Sequence, residues 1–328
     1  MNLRLAVYEW IDRFGLDEAR AAALLRVAGF EEEPPALARR FWPAVAIAAA
    51  ALAGFGVILW LAANWDDMGR MGRFALLEAA VLGSAAGAVL RPAWRAPLAL
   101  LAMLCIGGLF AYFGQTYQTG ADAWQLFALW AVLALPIALG ARSDAVWTPW
   151  AIVAVTAIAG WLYAHAGHRF GWQADAPGTY FAAWLACVAL VAMFAGAAGR
   201  WLGAGAWTLR TAGALAVVLV TFTGLLALFD RHIAPHYWVA LLLFAAVALV
   251  LAKGIAFDVF LLSAVALGLD TLLVAGVARW MFFDRTDALR DPIGQLFLIG
   301  LLAAGLLAVS VSWVLRLARE HRGSDGHV

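Results

Sequence analysis

Residues 43–63, PAVAIAAAALAGFGVILWLAA, decide the fold, because the chain passes twenty-one positions there without one charged side chain. At 1.5 Å of rise per residue such a run makes a helix of about 31 Å, enough to cross the hydrocarbon core of a bilayer. Nine further apolar runs follow, at about 74–90, 98–117, 124–140, 147–164, 178–198, 211–229, 237–252, 255–279 and 293–316. The sequence therefore predicts an all-α fold, a polytopic transmembrane bundle of ten spanning helices.

Composition agrees. Of the 328 residues, 65% are hydrophobic and 13% charged, and the mean hydropathy is +0.86. Soluble domains lie nearer about 45–50% apolar and about 25% charged. A soluble enzyme, a nucleic-acid binder, a disulfide scaffold and a disordered tail are all excluded. The net charge of +1 gives no field that would attract a polyanion, so no nucleic-acid partner is expected. Cys105 and Cys187 both fall inside apolar runs and read as packing thiols. Many of the 17 tryptophans border the runs, namely Trp42, Trp60, Trp65, Trp94, Trp124, Trp147, Trp238 and Trp280. They read as anchors at the headgroup level.

Four segments follow from these runs: residues 1–42, 43–145, 146–316 and a polar tail, 317–328. In the first, Leu3, Val7, Trp10, Ile11 and Phe14 recur at helical spacing, and Gly15 stops that helix. Asp17 is placed to cap a second helix that ends before Gly29, and Glu31-Glu32-Glu33-Pro34-Pro35 makes a turn. The hairpin either packs on the membrane domain or docks a cytoplasmic partner. Its six Arg and seven acids leave no room for a cleavable signal, so the first span is expected to serve as the insertion signal.

Ten spans put both termini on one side. With that side cytoplasmic, fifteen of the 22 basic residues lie in inner segments, the bias expected of a chain with both ends inside. The outer loops then hold Asn64-Trp65-Asp66-Asp67, the stretch from Gly114 through Gln115 and Tyr117 to Asp122, Asp230-Arg231-His232, and Asp284 to Asp291.

Two carboxylates lie inside predicted helices. On the predicted boundaries Asp270 sits about 22 Å from the inner end of the ninth helix, and Glu78 about 7 Å below the outer end of the second. An ionised group at such depth faces a partner, the bundle interior or water, and marks a functional site by default. Together these positions predict an outward-facing polar pocket built from Asp66, Glu78, Gln115, Tyr117, Asp122 and Asp270, between the second, third and ninth helices. Gly107-Gly108 and Gly114 would let backbones approach there, and Gly83-x-x-x-Gly87 reads as a helix-packing face.

His165 with His168, and His232 with His236, have spacings compatible with metal ligands, and Asp175 or Asp230 would complete a set. No Cys joins them, and interfacial histidine is the simpler reading, so no metal and no cofactor is expected. Phosphate-loop, metalloprotease, nucleophile-elbow and dinucleotide signatures are all missing, which leans against an enzyme.

Several stretches resemble the bacterial predicted-membrane-protein family catalogued as domain of unknown function 2157. They are Trp10-Ile11-Asp12 with Gly15 before Asp17-Glu18-Ala19-Arg20, Ala62-Ala63-Asn64-Trp65-Asp66 with Arg73, and Gly107-Gly108 through Gly114-Gln115-x-Tyr117-x-x-Gly120-x-Asp122. Leu129-Trp130-Ala131 and Leu133-Ala134-Leu135-Pro136 before Arg142-Ser143 extend the last of these. Gln118 departs from the His that the family pattern carries, so no His-dependent role is carried over there. The resemblance spans about residues 5–145 and implies a bacterial inner-membrane protein; it implies no activity. Three functions stay open: a transporter or permease-like carrier, a non-enzymatic subunit or sensor with a membrane partner or a second copy, and a membrane-embedded enzyme acting on a lipid-linked substrate. The bilayer itself is the one partner common to all three.

Overall fold

The computed structural model describes residues 3–28, 41–64, 69–117, 122–166, 177–254, 257–284 and 292–324. Those residues form thirteen α-helices, ten of them long and apolar enough to cross a membrane. The protein is an all-α integral membrane bundle.

The N-terminal hairpin is α1 (Leu3–Arg13) and α2 (Glu18–Val27). Gly15 reverses the chain at φ +55°, a backbone region that favours glycine. Asp17 caps α2 by accepting from the Arg20 N–H at 2.8 Å. The turn read at residues 31–35 lies outside the described residues.

The spans are α3 (Trp42–Ala63), α4 (Arg70–Leu90), α5 (Arg95–Tyr117), α6 (Ala123–Ala141), α7 (Asp144–His165) and α8 (Pro177–Phe194). A short helix, α9 (Gly196–Leu202), follows, where the sequence had predicted one unbroken helix to residue 198. The last spans are α10 (Ala206–Leu228), α11 (Pro235–Ala252), α12 (Val259–Arg279) and α13 (Pro292–Ser324).

The packing has two centres. In the first, α3 and α4 lie against α5, and α6 joins α5 to α7. Gly107 and Gly108 make this possible. An added Cβ at Gly107 would enter the ring of Trp130 on α6, whose indole N–H donates to the Met103 carbonyl at 2.9 Å. At Gly108 an added Cβ would meet Ile58 of α3 at 3.0 Å. The Gly83 and Gly87 pair is split: Gly87 faces Leu98, whereas Gly83 is open. In the second centre α10 touches α7, α8, α11 and α12, and α13 lies outside against α12.

The joint between the centres is at the end of the bundle near the termini, called proximal below. Gly205, at the start of α10, has no side chain to cap that helix. Asp144 of α7 does it instead, its carboxylate accepting from the N–H groups of Gly205 (2.9 Å), Trp207 (3.1 Å) and Thr208 (2.9 Å), and from the Thr208 hydroxyl. Trp147 is fully buried beside it and donates to the Leu202 carbonyl at 2.9 Å. This corrects the sequence reading of Trp147 as an interfacial anchor: its ring bridges α7 to the end of α9. Trp42, Trp60, Trp94, Trp238 and Trp280 are exposed at helix ends, as that reading expected. Cys105 and Cys187 are buried free thiols.

Candidate functional site

The six residues of the predicted pocket do not converge among the described residues. Asp66 lies outside them. Gln115 and Tyr117 are exposed at the end of α5, the Tyr117 ring 4.8 Å from that of Phe113 and 6.2 Å from that of Phe74. Asp122 is exposed at the start of α6, where its backbone carbonyl accepts from Gln125 at 3.0 Å.

Glu78 is placed unexpectedly. Because α4 begins at Arg70 rather than 74, the residue lies about 12 Å along the helix instead of about 7 Å. Leu77, buried, is the side chain that faces α5. Glu78 points outward, on a stripe with Met71, Ala75, Leu82, Ala86 and Val89, all exposed and all apolar except itself.

Asp270 is the opposite case, buried in the second centre with 8% of its surface exposed. Asp258 caps α12 by accepting from the Leu261 N–H at 3.0 Å, which sets the helix start at Val259. Asp270 therefore lies about 17 Å along α12, about halfway along that helix, rather than the roughly 22 Å that the predicted boundaries give. Its Oδ1 accepts from the Ser310 hydroxyl of α13 at 3.0 Å, and its Oδ2 is buried with no hydrogen-bond partner. Among the described residues no Lys, Arg or His forms an ion pair with it. Glu78 and Asp270 thus belong to different helix groups: α4 packs on α5, while α12 packs on α10, α11 and α13.

At the distal end, away from the termini, the second centre holds a buried polar and aromatic cluster, of which the sequence reading left His236 in a loop. His236 was read as external, but Pro235 starts α11, and this places His236 in the first turn, 2% exposed. Its ring stacks on Tyr180 of α8, with centroids 4.2 Å apart at 9°, and its Nδ1 has no hydrogen-bond partner. Trp184 donates to the Thr223 hydroxyl of α10 at 3.1 Å. Tyr237 donates to the Leu272 carbonyl at 3.0 Å, with Gly276 leaving room for its ring. Arg279, at the end of α12, donates to carbonyls of Leu228, Asp230 and Arg231, where α10 stops. A guanidinium there satisfies orphan carbonyls and complements the helix dipole, so Arg279 is an end cap.

The other histidines of the described residues do not gather. His168 lies outside the described residues, His232 is exposed, and His165 stacks on Trp161 with its Nδ1 2.8 Å from that residue's carbonyl. Among the described residues no three His, Cys, Asp or Glu side chains gather to hold a metal.

A buried carboxyl halfway along a spanning helix, held by one hydroxyl of the next helix, is the chemical feature that the arrangement offers. Ser310 is the member that the sequence reading missed. Its only signal is a hydroxyl within the apolar stretch Ala308-Val309-Ser310-Val311-Ser312.

No curated protein and no solved structure matches the chain. Residues 8–147 match the family model described as predicted membrane protein (DUF2157). That stretch runs from α1 into the first turn of α7, so Asp270, Ser310 and the His236 cluster lie beyond it. The match covers most of the N-terminal hairpin and the first four spanning helices, and this part of the chain is similar to the DUF2157 predicted membrane proteins.

Proposed function

We propose that the protein is a proton-coupled, permease-like carrier in the bacterial inner membrane, with Asp270 as the group that titrates. The observation that carries this reading is the lone buried carboxyl halfway along a spanning helix, hydrogen-bonded only to Ser310 and unpaired with any described cation. A charge in that place is costly unless it is paired or hydrated. Its hydroxyl partner sits on α13, whose main neighbour is α12. A small separation of these two helices admits water, and the acid then exchanges its proton. Both termini face the cytoplasm in this reading, in keeping with the excess of basic residues in the segments on their side.

Proton flux into reconstituted vesicles, read with an entrapped pH dye under an imposed gradient, tests the proposal. Asp270→Asn is expected to remove the flux over that of empty vesicles, and Asp270→Glu to keep part of it. Unchanged flux in Asp270→Asn overturns the reading.

A second reading is favoured by a separate observation. Glu78 stands alone on the otherwise apolar outer stripe of α4, and a membrane subunit whose partner, or second copy, covers that stripe would relieve the exposure of the carboxylate to lipid.

A further inference from the structure

Helices α8 and α11 meet at their distal ends, where Tyr180 stacks on His236. Toward the proximal end they diverge. The gap is a cavity of about 530 Å³, walled by α8 from Cys187 to Ala192 and by α11 from Leu243 to Leu251, with α10 as its floor. Every lining side chain is apolar, with Cys187 as the nearest to an exception. The volume lies in the range of about 300–1,000 Å³ typical of ligand sites. It is open to the side, so its occupant comes from the bilayer.

Two further observations say which occupant. Ala195 and Gly196 line the cavity, and one helical turn beyond them α9 carries Arg200, exposed. Leu251 lines the opposite wall, and two residues further on stands Lys253, also exposed. Neither side chain forms an ion pair among the described residues, whereas the neighbouring Arg210 is held by Asp258 at 3.0 Å. Trp201 and Trp207, both largely exposed, lie at the same level and mark it as that of the headgroups.

We propose that this wedge is a binding site for an anionic phospholipid. One acyl chain fills the cavity between α8 and α11, and the phosphate headgroup rests between Arg200 and Lys253. The site is separate from Asp270 and stands or falls independently of proton transport. An acyl chain suits an all-apolar recess that opens sideways, and two unpaired cations at its mouth discriminate by charge. Each basic side chain near a headgroup is expected to contribute about fivefold in preference for an anionic lipid.

The test is native mass spectrometry of the full-length protein released from mixed micelles that hold equal amounts of phosphatidylglycerol and phosphatidylcholine of the same chain length. The wild type is expected to retain phosphatidylglycerol over phosphatidylcholine by about tenfold or more. Arg200→Gln with Lys253→Gln is expected to remove that preference while leaving total bound lipid nearly unchanged. Ala192→Trp, at an exposed position on the α8 wall, is expected to reduce both lipids by obstructing the chain. Size-exclusion profiles show that each variant is folded. Equal retention of the two lipids by the wild type, a preference untouched by the double variant, or a second protein copy in place of lipid overturns the proposal.

Discussion

At the scale of single residues, Asp144 does the most with one side chain. Its carboxylate accepts from three backbone N–H groups and one hydroxyl at the start of α10, a helix whose own Gly205 offers no cap. Removing a cap costs about 1–2 kcal/mol, and hydrogen bonds to a charged acceptor are stronger than neutral ones. Asp144→Ala is expected to lower the unfolding free energy in detergent by about 2–3 kcal/mol, and Asp144→Asn by less. Denaturant titration followed by far-UV circular dichroism measures both. Asp144 escaped the sequence reading, which began that span at 147, since its partners come some sixty residues later. Asp270 was legible as a buried acid because lipid tolerates so few, but its partner was not, since Ser310 is one of several hydroxyls in the apolar runs. His236 misled for a local reason. A polar residue after Asp230, Arg231 and His232 reads as loop, and only the helix opened by Pro235 turns it inward.

At the scale of elements, lipid makes helices easy to recognise and their ends harder. The ten spans stand where the apolar runs are, because every backbone group in the hydrocarbon must bond within its own helix. The ends shift by a few residues where caps decide. Asp258 starts α12 later than hydropathy suggests, and it also pairs with Arg210 of α10 at 3.0 Å. The two roles can be separated. Asp258→Asn keeps a cap oxygen and loses the ion pair, a half-exposed contact worth at most about 1 kcal/mol. Asp258→Ala loses both and is expected to cost about 2 kcal/mol, with the order Ala worse than Asn as the checkable outcome in thermal unfolding. The short helix α9 escaped the sequence reading because its residues are as apolar as the span before it. The extended backbone at Ala195 and the positive φ of Gly196 and Gly203 bracket it.

At the scale of the whole molecule, the two packing centres account for the separation of Glu78 from Asp270. Glu78 and Asp270 are equally rare in an apolar sequence, and depth alone would pair them. Helices α7 and α10 stand between their groups, and that is topology, which no hydropathy pattern encodes. The outer stripe of α4 makes a prediction at this scale. A charged residue at a helix centre raises the cost of insertion by about 2.5–3.5 kcal/mol on biological scales. Glu78→Leu is therefore expected to leave the single copy folded and at least as stable, while abolishing any association through α4, as read by light scattering in mild detergent and by co-purification. An unchanged assembly in that variant would show that the stripe faces lipid.

The cap that Asp144 supplies to α10 also orders events during synthesis. The ribosome delivers α7 before α10, so the acceptor for the first turn of α10 is already in the membrane when that turn emerges. The earlier half of the chain thus acts as a template for the later half. A lesion at residue 144 would then appear first as poor biogenesis, a smaller yield of inserted protein, and only afterwards as lower stability of the molecules that mature.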